Sequence, residues 1–106
     1  MDKYGLIGFP LGHSFSKSYF NEKFENEGIN AKYINFELPS IEGLAEVLDT
    51  NPELKGFNVT IPYKEDVIPH LYKISETAKA IGAVNTIVNC DGKLFGYNTD
   101  FGGLKA

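Results

Sequence analysis

The sequence contains no arginine, one cysteine and two histidines, and each shortage removes a class of function. Without arginine there is no guanidinium fork for bidentate recognition of phosphate or base edges. The ten basic residues are all lysines and are outnumbered by fourteen carboxylates, for a formal charge of -4. That balance argues against nucleic acid as a partner, because a phosphate backbone requires a basic face. A lone Cys90 excludes an internal disulfide, and a thiol-ligated metal would need more thiols. Cys90 has no Cys or His close by in sequence, so it reads as a structural or turn-edge thiol. His13 and His70 are too far apart to suggest a metal site. No apolar run approaches the ~20 residues of a membrane span. The start MDKYGLIGF lacks the basic stretch, long apolar segment and small-residue cleavage site of a signal peptide. The expectation is a cytoplasmic protein with neither membrane nor metal partner.

What is present suits one compact domain over residues 1–106. Hydrophobic residues make up 42% and aromatics 13%, enough to build a core. Tyr4 to Phe9 is an apolar run ending at Pro10, the pattern of a buried strand. Phe15, Tyr19, Phe20 and Phe24 fall at helical spacing, which predicts a helix from near Ser14–Ser16 to a stop at Gly28. Ala31–Leu38 is rich in aromatic and β-branched residues and reads as a second strand. Ser40 is a good N-cap for a helix whose apolar face is Ile41, Leu44, Ala45, Val47 and Leu48. Leu54–Ile61 is a third strand. Pro62 stands where a helical turn can begin. Ser75–Ile81 forms a short helix closed by Gly82. Ala83–Asn89 and Lys93–Tyr97 are strands around the hairpin signal Asp91-Gly92, and Thr99 or Asp100 caps a last helix. This alternation predicts an α/β fold: a mixed, mostly parallel sheet with helices on both faces, three layers in all, and one hairpin strand running against the rest.

Four polar stretches lie where strands end, the usual ligand position in such folds. Ser14 and Ser16 stand at a helix start. Two hydroxyls beside free N–H groups can hold a carboxylate, and the same serines serve equally as ordinary caps. Asn58 and Thr60 point to one side of a strand, with Lys64 after the following turn. Together they can orient a polyhydroxylated ligand, while a solvent-exposed lysine is the simpler reading of Lys64 taken alone. Asn85, followed by Thr86, sits in an otherwise apolar strand, where its amide must be satisfied by a loop or by a ligand. Asp100 lies at a strand-to-helix junction, a common place for a cap. The glycines Gly96, Gly102 and Gly103 form neither GxGxxG nor a phosphate loop with its lysine.

Together the stretches GFPLGHSFS (residues 8–16), GFNVTIPYK (56–64), GAVNT (82–86) and GYNTDFG (96–102) resemble, in order, the signature segments of shikimate dehydrogenases. The resemblance covers nearly the whole chain. It implies that Ser14 and Ser16 hold the substrate carboxylate and that Asn58, Thr60 and Asn85 line the substrate pocket. Thr60 and Asn85 are then the contacts to ring hydroxyls, and Lys64 and Asp100 are the catalytic pair. Lys17 departs from the pattern, which has Pro after the second serine; a proline there would stiffen the first helical turn.

The resemblance also implies a reaction, reduction of 3-dehydroshikimate to shikimate with NADPH. As an ammonium, Lys64 can donate the proton that the ring oxygen needs, and as an amine it can take it back. Asp100 orients Lys64 and hydrogen-bonds a substrate hydroxyl. In the family a Rossmann-type domain that carries NADP(H) follows the last of these segments. The expectation is therefore that residues 1–106 are the substrate-binding half alone, inactive in isolation. A quinate-using relative and a non-catalytic module that captures a hydroxylated acid are the alternative readings.

Overall fold

A computed structural model describes residues 2–11 and 15–99, without the side chains of residues 15 and 16. The elements in chain order are β1 (Asp2–Gly8), α1 (Phe15–Asn26), β2 (Ala31–Glu37), a 3-10 turn (Ile41–Gly43), α2 (Leu44–Thr50) and β3 (Leu54–Val59). A second 3-10 turn (Ile68–His70), β4 (Lys73–Ile74), α3 (Glu76–Ile81), β5 (Thr86–Cys90) and β6 (Lys93–Tyr97) complete them.

The strands form one sheet in the order β2-β1-β3-β5-β6-β4. β1 pairs in parallel with β2 and β3, and β4 with β6. β5 runs antiparallel to both of its neighbours. The mixed, mostly parallel sheet with one reversed strand is thus as the alternation predicts. Asp91 and Gly92 take φ values of 53° and 90°, the left-handed pair that a two-residue hairpin needs.

Register divides the side chains between two faces. Ile7, Phe57, Val59 and Ile87 share one face through the pairs Ile7↔Val59 and Phe57↔Ile87. They are buried with Leu44 and Val47 of α2, Ala78 of α3, and Tyr63 and Val67 of the connecting turns. The opposite face carries Tyr4, Leu6, Tyr33, Asn58 and Thr86, and α1 packs on it. Phe20 stacks on Tyr33 with centroids 4.9 Å apart, and Phe24 meets Tyr4 at 5.8 Å. Helices therefore cover both faces.

Several boundaries differ from the sequence reading. β3 stops at Val59; Thr60 N–H still pairs with β1 through the Ile7 carbonyl, at 2.9 Å, and the Thr60 carbonyl then closes a turn by accepting from Tyr63 N–H. Pro62 starts no helix; it follows a cis peptide bond within a run of turns closed by Tyr63 N–H to Thr60 O and Val67 N–H to Tyr63 O. The segment after Ser40 begins as a 3-10 turn, whose three-residue period rotates the apolar stripe. Leu44 and Val47 face the core, and Ala45 faces solvent. β5 begins at Thr86, not Ala83, because Val84 and Asn85 direct their N–H groups to Lys64 O and Tyr97 O. β4, two residues long, has no periodicity to announce it. Ser75 and Gly82 bound α3 as predicted: Ser75 accepts from the Ala78 N–H, and Gly82 is left-handed at φ 82°.

β2 is an edge strand, and Asn21 of α1 blocks its open side. The Tyr33 N–H donates to Asn21 Oδ1 at 2.8 Å, and Asn21 Nδ2 donates to the Tyr33 carbonyl at 3.0 Å. The side-chain amide thereby stands in for a neighbouring strand and ties α1 to the sheet. Asn21→Ala is expected to lower the unfolding free energy by about 1–3 kcal/mol, measured by urea denaturation.

Candidate functional site

Three strand ends meet around Asn85. Its N–H donates to the Tyr97 carbonyl at the end of β6, at 3.0 Å, and its carbonyl accepts from the Val59 N–H at the end of β3, at 2.8 Å. The next N–H upstream, that of Val84, donates to Lys64 O at 2.8 Å. That bond pins the turn after β3 to the entry of β5. Two sequence-predicted residues, Lys64 and Asn85, are therefore tied to one short stretch of backbone.

The Asn85 side chain, 8% exposed, continues the network. Its Oδ1 accepts from the Thr99 N–H at 2.9 Å, the Thr99 hydroxyl at 3.2 Å and the Thr86 hydroxyl at 3.0 Å. Three donors saturate that oxygen, so Nδ2 is the group Asn85 can offer a ligand. Asn58 joins from β3. Its Nδ2 makes long contacts of 3.5 Å to Asn85 O and 3.4 Å to Thr86 Oγ1. Its Oδ1 accepts from the Tyr33 hydroxyl at 2.9 Å. Asn98, also buried, donates from Nδ2 to the Ala83 carbonyl at 3.1 Å. That bond braces the same entry to β5 from the far side.

Thr60 lies just past β3, against the end of β1. A side chain at Gly8 would place its Cβ 2.4 Å from the Thr60 methyl and 3.1 Å from the Ile61 carbonyl, so glycine is required there for the two loops to touch. Lys64 is half-buried. Asn58, Thr60, Lys64 and Asn85 are thus gathered at the ends of β3, β5 and β6. Ser14 and Asp100 lie outside the described residues, as does the Ser16 side chain. Thr86, Thr99 and Tyr33 are members of the network that sequence reasoning did not assign. The first two stand beside Asn85 and Asp100 within the quoted segments. Tyr33 carries no local signal, because only the register places it on the Asn58 face.

A groove of about 680 Å³ runs between α1 and the sheet, lined by Phe20, Phe24, Tyr33, Asn58, Thr86 and Val88 among others. A smaller cleft of about 470 Å³ lies beside α2 and the β5–β6 hairpin, at Asp49, Pro52, Lys55 and Asp91. It contains none of the residues above. Among the described residues no three His, Cys, Asp or Glu side chains are grouped to hold a metal ion. No described helix is long and apolar enough to cross a membrane.

If Asn85 Oδ1 is the fixed point of this network, Asn85→Ala should destabilise the fold by about 1–3 kcal/mol, the cost of buried donors left unpaired. Hydrogen exchange at the Thr99 amide should accelerate in parallel. Urea unfolding and NMR exchange rates measure the two effects.

The comparisons with known proteins agree with one another. The family model for the shikimate dehydrogenase substrate binding domain matches residues 6–87. A curated relative, the NADP(+) shikimate dehydrogenase of Halothermothrix orenii, is 50% identical over 107 residues, covering 95% of this chain and 35% of the relative. The shikimate dehydrogenase 1 structure from Peptoclostridium difficile superposes with a TM-score of 0.89 at 42% identity, covering 99% of this chain and 40% of that one. A Thermus thermophilus shikimate 5-dehydrogenase, solved with NADP(H) and shikimate, gives 0.88 at 32% identity, again over 99% and 40%. The chain spans 35–39% of the length of the curated relatives it matches.

Proposed function

The chain belongs to the shikimate dehydrogenase substrate-binding domain family, and from that premise we propose that it holds the substrate and moves the proton in an NADP-dependent shikimate dehydrogenase. The carrying observation is the convergence of Asn58, Lys64 and Asn85 on the ends of β3, β5 and β6, joined by the Asn85 hydrogen bonds. Neutral amides and hydroxyls around one lysine suit a ligand with several ring hydroxyls and a ketone, because each hydroxyl needs a fixed partner.

In this reading Ser14 and Ser16 take the substrate carboxylate, and Asn58, Thr60 and Asn85 take ring hydroxyls. Lys64 Nζ gives its proton to the ketone oxygen of 3-dehydroshikimate and recovers it in the reverse direction. Asp100 orients that amine and binds a neighbouring hydroxyl. NADPH, when bound, supplies the hydride to the ring carbon. In this reading its site is made by other residues, and the packing of Gly96 supports that: a Cβ there would lie 2.6 Å from Leu71 Cδ1. The glycine serves core packing and not the approach of a phosphate. We assign the nucleotide to residues beyond these, so the 106 residues alone bind substrate without turning it over.

Two experiments test this. Titration of the 106-residue chain with shikimate, followed by NMR, should shift Asn58, Lys64 and Asn85 first; shifts scattered over the surface and absent from these residues count against the site. In the complete protein encoded by the reading frame that contains this chain, Lys64→Ala should lower kcat by ~10²–10⁴-fold, the usual worth of general acid catalysis. KM should change little, since the proton is needed at the transition state. A kcat within a few-fold of the parent removes Lys64 from the chemistry, and turnover by the isolated 106 residues refutes the assignment of the nucleotide elsewhere.

A further inference from the structure

We propose that Tyr33 is a positioning residue for the substrate, its hydroxyl anchoring the oxygen end of the Asn58 amide, whose orientation the Asn85 carbonyl selects, so that Asn58 presents a hydrogen-bond donor to the ligand. The inference rests on the reading of Asn58 as a substrate contact and adds the direction of that contact and its cause. A side-chain amide has two nearly isosteric orientations, related by exchange of oxygen and nitrogen, and only its neighbours choose between them. At Asn58 one neighbour is the Asn85 carbonyl, 3.5 Å from Nδ2. A carbonyl only accepts, so the amine must face it. The oxygen then faces Tyr33, and the phenol, able to donate or accept, donates at 2.9 Å.

Tyr33 is built to hold that position. It is 2% exposed. Its ring stacks on Phe20 at an interplanar angle of 20°, and both of its backbone groups are taken by Asn21. Its hydroxyl reaches over β1 to β3, since Tyr33 lies beside Tyr4 and Asn58 beside Leu6. The chain of contacts runs from α1 through Tyr33 to Asn58, so the placement of α1 on the sheet is transmitted to the orientation of one amide. An oxygen acceptor on the ligand is favoured at this point, where it takes over the N–H that otherwise makes the long 3.4 Å contact to Thr86 Oγ1, and a ligand presenting only a donor is not.

The test uses the complete protein and three variants, Tyr33→Phe, Asn58→Ala and the two combined, with shikimate as substrate. Phenylalanine keeps the stack on Phe20 and removes only the hydroxyl. Tyr33→Phe should raise KM roughly 5- to 30-fold, as expected for one lost hydrogen bond and a freed amide, with kcat within about 3-fold. In the Asn58→Ala background the same change should move KM by less than about 2-fold, because there is no amide left to orient. A merely structural tyrosine would cost as much in both backgrounds, and that result, or no loss in either, overturns the proposal. An unchanged KM in Asn58→Ala alone overturns the site reading as well, which separates the two failures. Asn58→Asp gives an independent arm: it keeps the acceptor for Tyr33 and removes the donor. Its KM should rise at least as far as that of Asn58→Ala; a value near the parent's refutes the donor assignment.

Discussion

The hydrogen bonds of Asn85 are the constraint on which the rest of the site depends. One residue donates from its backbone to β6, accepts at its carbonyl from β3, and accepts three more donors at its side-chain oxygen. A buried amide with unmet bonds is costly, so the fold is most stable with these partners together. Because β3 and β6 are held at this point, the turn carrying Lys64 and the segment carrying Thr99 have fixed starting positions. In the proposed reading, substrate recognition and fold stability draw here on the same residue.

The two faces of the sheet divide the remaining work. The face of Ile7, Phe57, Val59 and Ile87 is closed by aliphatic packing against α2, α3 and the connecting turns. Its burial supplies the hydrophobic stabilisation of the domain. The other face is more aromatic and partly polar, and α1 rests on it through Phe20, Phe24 and Asn21. Most polar groups on this face find a partner: the Tyr33 hydroxyl on Asn58, Asn58 on Thr86, Thr86 on Asn85, while Asn35 Oδ1 is buried without one. Such a network is ordered before ligand arrives, which reduces the entropy that binding must overcome.

Membership in the shikimate dehydrogenase family and the geometry of the strand ends bear on different parts of the functional reading. The proposed reaction and the proposed roles of Ser14 and Asp100 rest on the resemblance to the family. The geometry bears on the polar half of the pocket, where Asn58 and Asn85 each have an oxygen already engaged. Two amides that offer mainly N–H groups suit the oxygens of a hydroxylated ring. The lysine nearby accepts at its own carbonyl from the Val84 N–H, which fixes its backbone beside them.

The sequence by itself determined the fold class, the order of the main elements and the segments that carry the site. Apolar periodicity, Ser75 and Gly82 at the ends of α3, and Asp91-Gly92 at the hairpin are local signals, and local physics reads them. It also placed Asn58, Thr60, Lys64 and Asn85 at strand ends, through the quoted segments. Tertiary structure alone decided where β5 begins, because Val84 and Asn85 bond to distant carbonyls at Lys64 and Tyr97. It alone decided the burial of Tyr33 against Asn58, residues 25 apart in sequence and on strands separated by β1. Which groups face one another across a sheet is set by register, and register is a property of paired strands that no single segment contains.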